Sequence, residues 1–190
     1  MSPVQERAQE KLQRFVVAAG RVVHRQGVGN TTLSDIAREA AQPVGSLYYY
    51  FRTKEAVVSA VVDERLRGLE ERIARWERDP DPRARLRRLI QMWVDERESD
   101  ARYGCPVGSL CYELAKSGGP ASAHAAEPLR RLVSWCRTQF QALGERPARA
   151  RDRAVHLIAA LQGITLLANA FQDAQLILRE TRELHHWLAN

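Results

Sequence analysis

Apolar residues recur every three to four positions along most of the chain, which is the spacing of amphipathic α-helices. The first stripe ends at Gly27, a residue type that readily adopts the left-handed conformation of a helix C-terminal cap. Its members are Leu12, Phe15, Val16, Ala19, Val22 and Val23. Strand patterning is absent apart from residues 48–51, whose neighbours favour a helix. The pattern therefore predicts an all-α protein with about nine helices.

Polar caps and prolines divide these predicted helices. Thr32, followed by Asp35, has the spacing of a capping-box variant and predicts the start of a short second helix. Thr53 predicts the start of a long fourth helix, and Asp81 with Pro82 in the first turn predicts the start of a fifth. A short turn joins the second helix to the third. Such a pair is a helix-turn-helix candidate, whose second helix would lie in the major groove of DNA.

Residues 27–55 also carry a spaced motif. It consists of Gly27, the run Thr31-Thr32-Leu33-Ser34-Asp35-Ile36-Ala37, Ala40, Pro43, the run Gly45-Ser46-Leu47-Tyr48-Tyr49-Tyr50-Phe51, and Lys54-Glu55. These positions resemble the DNA-binding signature of the TetR family of transcriptional regulators, and the resemblance covers residues 10–62. Residues 41–43 depart from the commonest pattern, which has Gly, an apolar residue and Ser or Thr there. The departures concern the turn and leave the motif intact.

The resemblance implies a helix-turn-helix DNA-binding domain over residues 1–53 and a helical effector-binding and dimerisation domain over residues 54–190. The fourth helix, from Lys54, would connect them. The implied partner is double-stranded DNA with a palindromic operator. Residues expected at the DNA are Thr31, Thr32, Val44, Gly45, Ser46, Tyr48, Tyr49, Tyr50 and Lys54.

The chemistry of these residues agrees with that role. Thr32 would present its hydroxyl to a phosphate at a helix N-terminus, and Gly45 would let the recognition helix approach the groove. The three tyrosines point about 100° apart, so they cannot all be core residues. We expect Leu47 and Phe51 to pack inward and at least two tyrosines to face DNA. The alternative is that the tyrosines pack a small core.

The second half predicts a homodimer. Residues 154–171 are apolar on most faces, which a helix sustains when it is buried nearly all round. The ninth predicted helix, which ends at Leu188, keeps an apolar stripe. Two copies of helices eight and nine would form a four-helix interface, as the family resemblance also implies. The alternative is an ordinary monomer core. A dimer would present two recognition helices to half-sites about 34–36 Å apart.

The resemblance further implies a small effector. The segment Gly104–Leu110 resembles the LmrA/YxaF-like subgroup, whose members bind planar or hydrophobic compounds, so a hydrophobic or aromatic effector is expected. Each residue expected to line the pocket is also a candidate for ordinary core. These residues are Trp93, Tyr103, Cys105, Leu110, Cys111, Leu114, Trp135, Phe140, Leu161 and Thr165.

Cys105 supports a second hypothesis. It lies at the predicted N-terminus of the sixth helix, where the helix dipole can lower the pKa of a thiol. Subgroup relatives include electrophile sensors with a cysteine in a similar place. The chain would then be a repressor released by modification of Cys105 instead of reversible binding. The alternative is a small residue that precedes a helix.

Composition narrows the class of protein. The formal net charge is +6, which permits a nucleic-acid partner without requiring one. Residues 1–60 carry +3 of it, and within them the basic excess lies on the first helix. Three cysteines without CxxC spacing favour a reducing cytoplasm. No apolar run suits a membrane span of about 20 residues. No catalytic or metal-ligating constellation is visible, so we expect a cytoplasmic repressor without a cofactor. An all-α carrier or enzyme is a remote alternative.

Overall fold

The computed structural model describes residues 3–116 and 118–189, and within these residues it contains eleven α-helices and no strand, which confirms the predicted all-α fold. The helices are α1 (Pro3–Gln26), α2 (Leu33–Glu39), α3 (Val44–Tyr50), α4 (Lys54–Trp76), α5 (Pro82–Asp95), α6 (Arg97–Tyr103), α7 (Pro106–Ala115), α8 (Gly119–Ala125), α9 (Glu127–Ala142), α10 (Pro147–Phe171) and α11 (Ala174–Ala189).

The predicted caps begin the helices as expected. The Thr32 hydroxyl accepts from the Asp35 N–H at 3.1 Å, and the Asp35 carboxylate accepts from the Thr32 N–H at 3.1 Å. The Thr53 hydroxyl accepts from the Ala56 N–H at 3.2 Å. Asp81 accepts from the Arg83 N–H at 2.9 Å. Each bond satisfies an N–H group that the first helical turn leaves without a partner, so these boundaries are set locally.

Two short helices account for the larger helix number. The predicted fifth helix is divided at Glu96, which lies at φ −93° and ψ 2° between α5 and α6. No glycine or proline marks this break, so the pattern of the sequence predicts one continuous helix here. The second addition is α8, which follows Gly118 at φ +66°. Pro43 is the N-cap of α3, at ψ 136°.

The chain forms two compact units. The N-terminal unit comprises residues up to Arg67 together with Ser109–Ala126, and the C-terminal unit comprises Gly68–Gly108 and the residues from Glu127 onward. The units differ from a division at residue 53, because the first turns of α4 pack in the N-terminal core. Both α4 and α7 contribute residues to both units.

The N-terminal core joins distant parts of the sequence. Phe15, Ile36, Leu47 and Val57 come from α1 to α4 and are completely buried. Leu110 and Ala125, from α7 and α8, belong to the same cluster. The short helices α2 and α3 are therefore held by tertiary packing, since helices of this length are unstable alone.

The C-terminal core lies between α5, α6, α9, α10 and α11. Trp93 donates its indole N–H to the Thr165 hydroxyl at 2.9 Å, so this pair is satisfied inside the core. The Arg153 guanidinium carbon lies 4.9 Å from the Phe140 ring centroid and 4.4 Å from that of Trp187. Arg153 also pairs with Glu145 at 2.8 Å. These contacts join α9, α10 and α11 through one half-buried cation.

α10 is long and apolar enough to cross a membrane by length and composition, a test that core helices of soluble proteins also pass. One side of it, including Leu157 and Leu161, is fully buried in the C-terminal core. Only 39% of the residues in its most apolar 18-residue stretch are buried, however. The expected burial on nearly all faces is therefore not met within a single chain. The exposed apolar residues are Val155, Leu166, Leu167 and Phe171.

The α2–α3 turn contains a left-handed alanine. Ala41 has φ +50°, a conformation in which its Cβ crowds the backbone. We predict that Ala41→Gly raises the free energy of unfolding by about 0.5–1 kcal/mol, because the relieved strain exceeds the added flexibility of the unfolded chain. Urea denaturation measures this change. The neighbouring Ala40 has φ −77°, so Ala40→Gly should lower stability; a gain in both variants would contradict the argument.

Candidate nucleic-acid interface

α3 has one buried side and one exposed side. Leu47 is completely buried and Phe51, just after the helix, is 7% exposed, which confirms that both pack inward. Tyr48 is 53% exposed and Tyr49 is 84% exposed. Tyr50 is half-buried, with its ring centroid 6.0 Å from that of Phe15. The alternative that the tyrosines pack a small core therefore applies to Tyr50, whereas Tyr48 and Tyr49 are exposed.

The first turn of α3 is open to an approaching partner. Val44 is 40% exposed, and a Cβ placed on Gly45 would meet no atom within 4 Å. The Ser46 hydroxyl accepts from the Lys11 ammonium at 3.0 Å. Lys11 of α1 therefore lies beside α3 and brings a positive charge to this face. Lys11 is not among the residues that the sequence predicts at the DNA. The only sequence signal for it is the basic excess of the first helix, which does not single out one residue.

Thr32, the N-cap of α2, is exposed, whereas the preceding residue Thr31 is buried. Thr32 donates its hydroxyl to Asp35 at 2.6 Å. This bond, the Thr32 N–H bond and the nearby Arg38 guanidinium lower the pKa of Asp35. Thr31 is 2% exposed and donates its hydroxyl to the Gly27 carbonyl at 2.6 Å. Its burial favours a role in shaping the turn over a direct contact with DNA.

Lys54 is engaged with the α1–α2 turn. Its ammonium donates to the carbonyl oxygens of Val28 at 2.8 Å and Gly29 at 3.3 Å. An acidic side chain contacts the same turn: the Glu113 carboxylate of α7 accepts from the Val28 N–H at 2.7 Å. A phosphate contact by Lys54 stays a prediction. Glu113 was missed because it lies 85 residues from Val28, and no local sequence pattern reports such a contact.

The predicted effector residues divide between the two units. Trp93, Tyr103, Cys105, Trp135, Phe140, Leu161 and Thr165 lie in the C-terminal unit, where all but Tyr103 and Cys105 are buried. Leu110, Cys111 and Leu114 pack instead with the N-terminal core. The division arises because α7 passes from one unit to the other between Gly108 and Ser109. Seven of the ten candidates therefore lie in the C-terminal unit, and Trp93, Trp135, Phe140 and Leu161 are part of its core.

Cys105 is held as a hydrogen-bond acceptor. Its sulfur accepts from the Gly108 N–H and from the Gln162 amide, both at 3.4 Å. Burial raises the pKa of the Cys105 thiol, and these two hydrogen bonds lower it by less. The direction is opposite to the lowering expected from the helix N-terminus. A raised pKa keeps the thiol protonated near neutral pH, so the structure does not favour it as a nucleophile.

Asp100 is a buried carboxyl in the C-terminal unit. It is 3% exposed. Burial, with a smaller contribution from Glu96, raises the pKa of Asp100 to about 7. The sequence pattern did not identify this residue, because α6 places a charged residue on its buried side.

Metal ligands do not cluster in the described part of the chain. Among residues 3–116 and 118–189, no three His, Cys, Asp or Glu side chains are grouped so as to hold an ion. His186 and Glu183, near the C-terminus, lie 3.9 Å apart and are exposed. Neither residue shows a built metal site.

The exposed recognition helix on a buried three-helix core defines a helix-turn-helix DNA-binding regulator. The model of the bacterial regulatory proteins of the tetR family matches residues 15–61. The model of the LmrA/YxaF-like transcriptional regulator C-terminal domain matches residues 82–183. The chain therefore belongs to the tetR family, with an LmrA/YxaF-like C-terminal domain. This confirms the resemblance and the class of protein, a transcriptional regulator and not an enzyme.

Relatives and solved structures agree with this assignment. The chain is 28% identical to an HTH-type transcriptional regulator from the lacX 3′ region of Lactococcus lactis subsp. lactis, over 87% of this chain and 86% of that protein. It is 30% identical to an HTH-type regulator of Mycobacterium tuberculosis (strain ATCC 25618 / H37Rv), over 90% and 92%. A TetR regulator from Chloroflexus aurantiacus J-10-FL superimposes with a TM-score of 0.84 at 22% identity, over 97% of each chain. This last likeness concerns the fold alone.

Asp100 predicts a pH-dependent stability. Its pKa is about 7 in the folded protein against an ordinary value of 3.8, so the folded state holds the proton more tightly than the unfolded state. Stability should therefore fall as the pH rises through this window and level off above it. Relative to Asp100→Asn, the wild type should lose about 3 kcal/mol between about pH 5 and pH 8.

Urea denaturation of both proteins at the two pH values measures this difference. The control is Asp152→Asn, at an exposed carboxylate of α10, which should leave the pH dependence unchanged. Parallel pH profiles for wild type and Asp100→Asn would show that Asp100 does not titrate in this range.

Proposed function

We propose that the chain is a ligand-responsive repressor that acts in the cytoplasm and binds a palindromic operator as a homodimer. The observation that carries the proposal is the exposure of Tyr48 and Tyr49 on a helix that is otherwise anchored in the core. Family membership supports DNA binding in general. Repression, dimerisation and release by an effector are the finer parts of the proposal.

The exposed face of α3 supplies the groups that read DNA. Val44 has the apolar surface to contact a thymine methyl group, and the tyrosine hydroxyls can donate to base edges or phosphates. Lys11 adds a positive charge beside Ser46. Thr32, exposed at the N-terminus of α2, would lie against a phosphate. These groups combine contacts that position the protein with contacts that specify sequence.

The exposed apolar face of α10 supports a homodimer. Leu166 is 68% exposed and Phe171 is 66% exposed, on the same helix as Val155 and Leu167. Exposed apolar residues of this kind mark interaction sites, and family membership favours a second subunit as the occupant. The exposed positions of α11 are mainly polar, among them Arg179 and Glu183. The support for an interface through α10 and α11 therefore comes mainly from α10.

The C-terminal unit supports a small hydrophobic or aromatic effector. Trp93, Trp135 and Phe140 are buried aromatic residues of this core, and Gln162 lies at its edge, so an effector would have to open part of this packing to reach them. α4 begins at Lys54 in the N-terminal unit and ends at Trp76 in the C-terminal unit. An effector that alters the packing around Trp76 would therefore act on a helix that also holds the DNA-binding unit. A coupling of about 1–3 kcal/mol would weaken operator binding about 5- to 150-fold.

The recognition helix is tested with Tyr49→Ala. We expect the dissociation constant for DNA from the region upstream of the chain's own gene to rise about 5- to 150-fold, because a contact worth about 1–3 kcal/mol is lost. Thermal stability should barely change, since Tyr49 is 84% exposed. Fluorescence anisotropy at several salt concentrations measures the binding.

The matched control is Tyr112→Ala, which removes another exposed tyrosine, on α7. Its operator affinity should equal that of the wild type. Equal losses in both variants would refute the assignment of α3 as the recognition helix. A wild-type protein without salt-dependent binding to this DNA would refute the repressor.

The interface is tested with Leu166→Glu. A carboxylate in the middle of an apolar interface would be desolvated without a partner, so we expect the dimer to dissociate into monomers. Light scattering after size-exclusion chromatography measures the mass. Gln141→Glu introduces the same charge at an exposed position of α9 and should leave the dimer intact. A monomeric wild type, or a dimeric Leu166→Glu variant, would contradict the proposed interface.

A further inference from the structure

Two oppositely charged side chains hold the peptide groups of the α1–α2 turn. Glu113 accepts from the N–H of Val28 at 2.7 Å and, over a longer 3.4 Å, from that of Gly29. Lys54 donates to the carbonyl oxygens of the same two residues. Both ionic side chains are half-buried. Because hydrogen bonds to charged groups are about twice as strong as neutral ones, the turn is fixed on both its donor and its acceptor side.

Gly27 makes this approach possible. It lies at φ +78°, and a Cβ at that position would be 3.0 Å from one Glu113 carboxylate oxygen and 3.1 Å from the other. A side chain at residue 27 would therefore strain the backbone and push Glu113 away. The turn accordingly needs both the conformational freedom and the small size of glycine.

The turn leads directly into the DNA-binding elements. Thr31 donates its hydroxyl to the Gly27 carbonyl at 2.6 Å, and its N–H to the Val28 carbonyl at 3.2 Å. The next residue is Thr32, the exposed N-cap of α2. A displacement of residues 27–29 would therefore change the position of the α2 N-terminus through a short chain of hydrogen bonds.

We infer that Glu113 is a positioning residue for DNA binding, which holds the α1–α2 turn and thereby the N-terminus of α2 in the conformation that meets the operator. Glu113 itself does not touch DNA. It is carried by α7, whose first turn belongs to the C-terminal unit. The inference rests on the proposed function for its effect on DNA affinity, whereas the hold on the turn can be measured without DNA.

The first turn of α7 gives this arrangement a regulatory consequence. A Cβ on Gly108 would meet the Gln162 amide oxygen, so the Gln162 side chain of α10 lies against this end of the helix. Five residues later the same helix carries Glu113. A small molecule that displaces Gln162 would thus act on a helix that also restrains the α1–α2 turn.

The test uses Glu113→Ala in the full-length chain. We expect the Val28 amide to exchange at least about tenfold faster in NMR hydrogen exchange, while the amides of α2 and α3 keep their protection. Operator affinity should fall about tenfold. The slope of log affinity against log salt concentration should stay that of the wild type, because no phosphate contact is removed.

Three further variants sharpen the result. Glu113→Gln keeps an acceptor oxygen and should restore most of the affinity. Gly27→Ala should weaken operator binding as Glu113→Ala does, because the added Cβ would strain the backbone and displace the Glu113 carboxylate. Glu71→Ala removes an exposed carboxylate of α4 in the C-terminal unit and should match the wild type in exchange and affinity.

Several outcomes would overturn the inference. Unchanged exchange at Val28 would show that Glu113 does not hold the turn in solution. Faster exchange with unchanged affinity would remove its positioning role, and general loss of protection across α2 and α3 would make Glu113 a stabiliser of the whole unit. A wild-type protein that binds no operator would refute the proposed function instead, while the exchange result would still decide whether Glu113 holds the turn.

Discussion

The burial of Leu47 and Phe51 is the interaction on which the DNA-binding unit depends. α3 is seven residues long, too short to be stable without tertiary packing. Its two inward residues fix its rotation, and that rotation determines that Tyr48 and Tyr49 are exposed. Phe15 of α1 and Val57 of α4 complete the same core. The exposed face of the recognition helix is therefore a consequence of what is buried behind it.

Long-range polar contacts refine what this core establishes. Lys11, Lys54 and Glu113 come from α1, α4 and α7, and each engages α3 or the turn before α2. Apolar packing is non-directional, so it fixes the approximate place of a helix but not the orientation of its terminal peptide groups. Charged hydrogen bonds are directional and supply that orientation. The participation of α7 in both units gives the chain a second covalent connection between them, besides α4.

Two features of the C-terminal unit lower the stability of an isolated chain. Asp100 is a carboxyl with only 3% exposure, and α10 exposes Leu166 and Phe171. Natural proteins retain such features mainly where function requires them. The exposed face of α10 suits a second subunit. Asp100, close to Cys105 and the core of the unit, places a polar group in the region proposed for the effector.

The sequence by itself determined the all-α class, the caps of α2, α4 and α5, and the family, because these depend on residues a few positions apart, whereas the break at Glu96 and the short helix α8 emerged only in the structure. Thr32 with Asp35, and Asp81 with Pro82, act within one turn, and the spaced motif of residues 27–55 reports the DNA-binding function. Tertiary structure alone decided that Thr31 is buried, that burial raises the Cys105 pKa, and that Leu110 packs with the N-terminal core. It also joined Glu113 to Val28 across 85 residues. Such outcomes depend on burial and on contacts between distant segments, which exist only after the chain has folded.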